Sequence, residues 1–600
     1  MPLPIEDYAL VGDRGTAALV GNNGSVDWLC LPRFDSSACF AALLGDEDNG
    51  HWQLVPEGEY DVQRSYLADT ALLETTFTTA QGRVTLLDVM PTNDRRADLV
   101  RRLTGIEGSV RMRHEWVVRF DYGKVRPWVS RQRADDEEVI VAIAGPDKLV
   151  LRGPRLPHRQ DGRHVDTFDV HEGDVLTFAT TWVPSWSKTP KAANLDEAIK
   201  RTKMEEERWS SGCRDDLPHR ELVVRSLLTL RLLTHAETGG IVAAPTTSLP
   251  ENFGGARNWD YRYTWLRDAA LTIETLLTAG YTEEARLWRT WLLRAVAGDP
   301  EDLQIMYAVD GARRLPEREL DHLPGYAGST PVRIGNGAVD QRQTDVLGEV
   351  MIALQQAREA GLEETDLSWS LQRMLVEDLA DHWDDPDHGL WEIRGQPRHF
   401  THSRVMVWAA FDRAVEAIED QGLEGPLERW RQARDDVRAE VLDRGVDRER
   451  GTFVQHYETT ELDASLLMIP LVGFLPGDDP LVLGTIAAIE EDLLRDGFAL
   501  RYRTDTGVDG LPGDEHPFLA CSFWLVSAYA MAGRHDDARA LFDRLCALTN
   551  DVGLLSEEYD VGHDRMAGNF PQALSHLTLV QAALRLAEGR SGSQEDVVQG

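Results

Sequence analysis

The connections between helical segments constrain this chain more than any other feature. From about residue 222 the sequence reads as helices at 222–235, 268–279, 282–297, 344–360, 367–382, 402–419, 426–443, 461–471, 480–494, 519–532, 534–548 and 571–587, several with apolar residues at helical spacing. Short connections fall near 280, 363, 423, 475 and 533. They alternate with long ones at 236–267, 298–343, 383–401, 444–460, 495–518 and 549–570. Helical hairpins packed around a ring put all short turns on one rim and all long loops on the other. The expected architecture of residues 221–590 is therefore an (α/α)6 barrel. An open solenoid is the rival, but no repeat of fixed period is evident.

At 600 residues the chain is long enough for more than one core. Residues 1–190 carry short runs rich in β-branched and aromatic residues, such as SVDWLCLP (25–32), RVTLLDVM (83–90), VRMRHEWVVRF (110–120) and VLTFATTWV (175–183), punctuated by Gly, Asp, Asn and Pro. They predict an N-terminal antiparallel β-sandwich domain. Residues 191–220 are charged and helical in period, a linker helix between the domains. The polar tail 591–600 reads as disordered.

Composition excludes several function classes. The net charge of −38 repels phosphates, so no nucleic acid and no anionic membrane is expected as a partner, whereas a small neutral ligand is compatible. The longest apolar runs fall short of the roughly 18 residues that span a bilayer. The start MPLPIEDYALVGDRG has no basic region followed by an apolar run, so a cytoplasmic location is expected. Five cysteines without a C-x-x-C pair read as reduced thiols. A homo-oligomer is left open.

The long loops hold the chemistry. In GGARNWDYRYTWLRDA (254–269), Trp259, Tyr263, Trp265, Arg267 and Asp268 combine aromatic faces with a cation–acid pair. Aromatics cover the flat C–H faces of a sugar, and Asp and Arg hydrogen-bond its hydroxyls. The plainer alternative is an aromatic cluster closing a helix end, with Asp268 as its cap. In HGLWEIRGQPRHF (388–400), Glu392 follows Trp391 and precedes Ile393. Apolar neighbours desolvate a carboxyl and raise its pKa, which suits a general acid. The alternative is an exposed glutamate paired with Arg394 or Arg398. In GLLSEEYD (553–560), Glu557 and Glu558 point opposite ways on an extended chain, so only one can face a pocket. That one would activate water; an acidic turn is the alternative. Two separated glutamates, aromatic walls and a cation–acid pair together suit a pocket that cleaves a sugar–oxygen bond.

Further candidates on the same rim are Gln343, Asp345, Arg501, Tyr502 and Glu515, whereas Glu349, one turn into its helix, is expected to serve the helix start. His563 and Asp564, one His among scattered acids, are weak evidence for a metal site. No H-E-x-x-H, phosphate-binding loop or nucleophile elbow occurs, so neither a metal nor an organic cofactor is expected.

These motifs resemble those of bacterial members of glycoside hydrolase family 15, the glucoamylase and trehalase family, over nearly the whole chain. IEDYALVGDRGTAALVGNNGSVDWLCLPRFDS resembles the family's N-terminal β-domain. RNWDYRYTWLRDA, GLWEIRGQPRHFTHSRVMVW, GLPGDEHPFLACSFW and GLLSEEYD…GNFPQALSHL resemble its barrel motifs. The resemblance implies an inverting, exo-acting α-glucoside hydrolase with Glu392 as general acid and Glu557 as general base. It implies that Trp265, Arg267 and Asp268 hold the terminal glucose, with Arg501 as a further contact. It puts trehalose first as substrate, short α-1,4- or α-1,6-linked gluco-oligosaccharides second. A non-catalytic carbohydrate-binding protein is the reading of another class, disfavoured because a pure binder has no use for two opposed carboxylates.

Overall fold

The computed structural model describes residues 2–92 and 96–598, the side chains of 301 and 589–598 excepted. The first domain is two antiparallel layers sharing one strand, Ala97–Val117. Its first half pairs with Gly82–Val89 and Val175–Pro184, its second with His51–Pro56 and Arg163–His171. The strand changes layers around two glycines. Gly108 has φ +67, and a Cβ on Gly105 would lie 2.0 Å from the His171 carbonyl oxygen. Side chains required at these two points would block the crossing. Trp28, Trp52 and Trp116 are fully buried in this core.

Only the second half of that strand is legible in the sequence. The first half carries Arg101 on a buried face, where it looks like solvent-exposed polarity. Its charge is matched by Asp88, with Nε 2.6 Å from Oδ1 and both side chains fully buried. The Trp52 carbonyl accepts from Nη1 at 2.5 Å and the Gly24 carbonyl from Nη2 at 2.8 Å. A buried charge is tolerated only with such pairing.

Helix α1 (Leu195–Ser210) follows, with Asn194 as its cap. It lies against the sheet through Leu195 and Ile199, and Glu206 accepts the Ala71 N–H at 2.7 Å. Twelve helices then form the barrel: α2 (Arg220–Leu232), α3 (Leu266–Thr278), α4 (Thr282–Ala295), α5 (Asp345–Glu359), α6 (Asp366–His382), α7 (Thr401–Glu419), α8 (Leu427–Arg444), α9 (Met468–Leu471), α10 (Pro480–Asp492), α11 (Leu519–Met531), α12 (His535–Cys546) and α13 (Ala573–Val598). Helices α3, α5, α7, α9, α11 and α13 pack each on the next, and α13 closes on α3, so they are the inner ring. Burial follows position. Inner helix α11 is buried on every side, whereas outer helix α8 buries only a stripe of Trp430, Val437 and Val441.

The expected alternation therefore reflects an inner and an outer ring. One helix is shorter than expected. The segment read as 461–471 is a 3-10 turn, Ala464–Leu467, followed by the single α-turn of α9. Pro470 lies in that turn and would lack the N–H a longer helix needs. Of the tail read as disordered, 591–600, the backbone to Val598 continues α13, and residues 599–600 lie outside the described ones. Among the described residues no helix is long and apolar enough to cross a membrane.

The sheet domain braces the long-loop rim. Trp28 donates to the Pro245 carbonyl at 2.8 Å, Arg64 pairs with Asp551 at 2.6 Å, and Asn550 donates to the carbonyls of Glu6 and Tyr8. Arg262 reaches the Ser36 carbonyl and the Tyr122 hydroxyl, both at 2.9 Å. The loops before α3 and α13 are thus held from behind.

Candidate active site

The chain before α3 is extended, so alternate side chains face opposite ways. Trp259 and Tyr261 line a cavity inside the long-loop rim, while Asp260 and Arg262 pair at 2.6 Å against the sheet domain. Trp265, Arg267 and Asp268 enter the cavity at the start of α3. The loop between α6 and α7 adds Trp391 and Glu392, the loop before α11 adds Arg501, and the loop before α13 adds Glu557. Nine of the thirteen residues expected from sequence, Tyr502 among them, therefore line one cavity.

Glu392 sits in a tight turn with φ +57. For a residue with a Cβ this costs on the order of 1–2 kcal/mol, so the surroundings must impose it. Gln341 does part of that, donating to the carbonyls of Glu392 and Ile393 at 3.1 and 3.0 Å. Trp265 Nε1 donates to Glu392 Oε1 at 2.6 Å, and Arg267 Nη2 lies 3.5 Å from the same oxygen. Arg267 is fixed by the Leu390 carbonyl at 2.7 Å and by Asp268 at 2.9 Å. Burial pushes the Glu392 carboxyl up, with Arg267 opposing and Asp268 adding to the rise.

Glu557 is almost fully buried. It accepts the Tyr261 hydroxyl at 2.6 Å and the Asn569 N–H at 3.3 Å. Burial, then the field of Glu251, pushes it up to about 8, against Arg501, Tyr261 and the Asn569 N–H. The Tyr261 and Trp265 rings pack edge to face at 5.6 Å. Each carboxylate is thus hydrogen-bonded to a different member of one aromatic pair. Glu558 turns away. It accepts the His516 N–H at 3.0 Å and lies 3.3 Å from Arg501.

Four expected residues do not line the cavity. Tyr263 is buried near Asp260, Arg262 and Tyr122, on the sheet-domain side. Gln343 lines a separate surface cavity, and the contact with the Glu392 turn belongs to Gln341, two residues earlier. Asp345 is the first residue of α5 and is fully buried. Glu515 stands behind Arg501, which it grips at 3.1 and 2.6 Å.

Sequence reasoning missed Glu251, Arg257 and Gln341, and did not single out Tyr261. Alternation along an extended 259–265 puts Tyr261 and Tyr263 on one face, so it could not choose between them; the structure departs from it at Tyr263, which is buried outside the cavity. Glu251 had no signal, being an isolated acid in a long loop. It accepts from Trp259 Nε1 and Arg501 Nη2, each at 3.0 Å. Guanidinium groups of Arg333 and Arg394 flank the Trp259 ring at 4.7 Å each.

Among the described residues, Glu251, Glu515 and Glu558 place carboxylate oxygens within 4.8 Å of one another, the one grouping with metal-ligand spacing. Arg501 already lies 3.0, 2.6 and 3.3 Å from these three, and Arg257 pairs with Glu515 at 3.4 Å. Fixed guanidinium charges occupy the place a metal would take, so the donor set fits an arginine better than an ion. His563 is paired with Asp560 at 2.7 Å and lies outside the cavity.

Comparison with known proteins identifies the family. Glycosyl hydrolases family 15 matches residues 218–584, and a trehalase-like N-terminal family matches residues 1–169. A trehalase of Mycolicibacterium smegmatis is 38% identical, covering 97% of this chain and 91% of its own. A trehalase of Thermoplasma acidophilum is 34% identical, covering 95% and 98%. Among solved structures, a bacterial glucoamylase complexed with acarbose matches with a TM-score of 0.71 at 13% identity, covering 98% of this chain and 95% of that one; the likeness is one of fold. On the family match and on identity along nearly the whole length of these relatives, the chain belongs to glycosyl hydrolases family 15.

Proposed function

We propose that this protein hydrolyses trehalose, releasing glucose with inversion of the anomeric centre. The observation that carries the reading is one cavity with two buried carboxylates, Glu392 and Glu557, each hydrogen-bonded to a different ring of the Tyr261–Trp265 pair. Inversion needs an acid on one face of the sugar and a base on the other, about 6.5–9.5 Å apart, with a water between sugar and base. Glu392 is the acid. Burial favours its protonated form, and the Trp265 N–H and Arg267 stabilise the carboxylate left after the proton departs. Glu557 is the base. Tyr261 holds its orientation, and Arg501 supports its charged form. Arg267, Asp268, Trp259, Trp391 and Arg501 grip the terminal glucose. The choice of trehalose is supported by relatives that bear that name over nearly their full length.

The test is glucose release from trehalose, maltose, isomaltose and maltoheptaose under one condition. Trehalose should have the highest kcat/KM. A preference for maltoheptaose would replace trehalase with a glucoamylase-like activity on the same site.

The electrostatics give a pH prediction. The base works only when ionised, and Glu251 raises the Glu557 pKa by like-charge repulsion. Glu251→Gln removes that charge and frees Arg501 from one partner; both changes lower the Glu557 pKa. The acidic limb of kcat/KM against pH should therefore move to lower pH, with activity retained further into acid. A limb that stays in place or moves up would show that Glu557 does not govern it.

A further inference from the structure

The barrel axis is open at both ends. Opposite the candidate active site, on the rim of short turns, lies a second cavity of about 290 Å³, ample for several waters. Glu274, Glu349, Gln356 and Trp524 are among its walls. Helical rise sets the distance between the two cavities. On α3, Asp268 lines the first and Leu271 the second, three residues or about 4.5 Å further along. On α5, Glu349 lines the second cavity and Asp345 lies one turn, about 6 Å, nearer the first, on the same face. The partition is about one helical turn thick.

Its polar groups have few partners. Asp345 is fully buried and neither of its carboxyl oxygens has a hydrogen-bond partner. Glu349 is 2% exposed with Oε1 unpartnered, and on α7 both ring nitrogens of His402 are unpartnered. Buried oxygens of this kind are rare unless water serves them or they have a task. The cation that acts on both carboxyls is Arg267, and Asp268 at 2.9 Å and Glu392 at 3.5 Å already share it. Burial, then the field of Asp387, pushes Asp345 up to about 7, and burial, then Glu274, pushes Glu349 well above the carboxylate range. Burial, then Arg267, pushes His402 down to about 3, so it is neutral. Burial thus favours the protonated form of both carboxyls. The arginines at the outer lip are engaged elsewhere: Arg413 with Glu416 at 3.4 Å and Arg585 with Glu588 at 3.2 Å.

We propose that Asp345 and Glu349 relay protons from the far-rim cavity to Glu392, reloading it while sugar still fills the cavity above. The proposal rests on the reading of Glu392 as the acid. In each turnover the Glu392 O–H bond breaks and its proton goes to the departing oxygen, while Glu557 takes a proton from the attacking water. The Glu557 proton leaves to solvent. Asp345 passes its proton toward the Glu392 carboxylate, Glu349 passes its own to Asp345, and a proton from far-rim water restores Glu349. One proton enters and one leaves. The Arg267 charge, which would oppose an incoming proton, is matched by Asp268. Asp345 and Glu349 act through Glu392 and do not touch the sugar.

The test compares Glu349→Gln and Asp345→Asn in the full chain on two substrates, trehalose and α-D-glucopyranosyl fluoride, whose departing fluoride needs little help from an acid. Glu349→Gln should lower kcat on trehalose about tenfold at pH 7, and further as pH rises, the size of a modest acid–base contribution. KM for trehalose, and kcat on the fluoride, should stay within about twofold. The double variant should lose no more than Asp345→Asn alone, since both block one route. Equal losses on both substrates would show a structural role and overturn the proposal, as would unchanged kcat on trehalose. If Asp345→Asn fails to fold, Glu349→Gln decides alone, being one turn further from the site. Glu392→Gln separates the two readings. Full trehalose turnover in that variant removes the acid itself, whereas its loss beside an unaffected Glu349→Gln removes only the relay.

Discussion

Glu557→Gln is expected to lower kcat on trehalose by about 10²–10⁴-fold, the usual contribution of a positioned general base. The amide keeps the shape of the carboxyl and can still accept the Tyr261 hydroxyl, which lies 2.6 Å from Oε1. It cannot take a proton from water. Substrate affinity should therefore persist, because the residues around the sugar, Arg267, Asp268, Trp259 and Trp391, are untouched. Folding should also persist, because the change removes a buried carboxyl whose charged form is disfavoured by burial and by Glu251. The neighbouring Glu558→Gln is the control. Glu558 sits 3.3 Å from Arg501, so its loss leaves a buried cation with one partner fewer and should appear in thermal stability and in KM. Single-turnover rates, equilibrium binding of trehalose and melting curves for both variants settle the matter. Turnover surviving in Glu557→Gln and lost in Glu558→Gln would assign the base to the wrong neighbour.

How the site could be read before the structure follows from what each residue depends on. The barrel was legible because its alternating connections are a property of chain order, which needs no knowledge of packing. The pair Arg267–Asp268 was legible because the two are adjacent in sequence and enter a helix together. That only one of Glu557 and Glu558 could face the pocket was legible because an extended chain sends alternate residues to opposite faces, but which one was implied only by the family resemblance. Glu251 and Arg257 were not legible. Their role rests on a network with Arg501, Asp509 and Glu515, partners about 250 positions away, and no local pattern encodes such a meeting. Asp345 failed for a subtler reason. The start of a helix at a loop end places a residue near the rim, but which way it faces depends on the helix's rotation. Here that rotation turns Asp345 inward, one helical turn above Glu349 and away from the sugar. The first half of the strand Ala97–Val117 escaped because its buried arginine mimics exposure until Asp88 is seen beside it.

Glu392→Gln should give the other large effect, and its size should depend on the substrate. A glucose leaving from trehalose is an alkoxide unless protonated, so loss of the acid should cost about 10²–10⁴-fold in kcat. Fluoride is a stable anion, so α-D-glucopyranosyl fluoride should retain most of its rate in the same variant. A broken pocket would slow both substrates alike, and equal losses would mean that Glu392 organises the site without giving a proton. Stability offers a second check. The backbone at 392 is held at φ +57 and the carboxyl is buried, two unfavourable terms that function explains and folding does not. The amide removes the second, so the variant should melt no lower than the parent protein. The stereochemistry then closes the argument. If Glu392 and Glu557 act from opposite faces of the sugar, as proposed, water displaces the leaving group in one step, and the glucose formed from the attacked ring is the β-anomer. Proton NMR in the first minutes of trehalose hydrolysis should show β-glucose from the attacked ring beside the α-glucose set free as leaving group, before mutarotation mixes them. With the fluoride the reading is simpler, since one sugar is released and it should be β. Initial α-glucose from the fluoride would require two displacements and a covalent intermediate, and would overturn the assignment of Glu557 as a base.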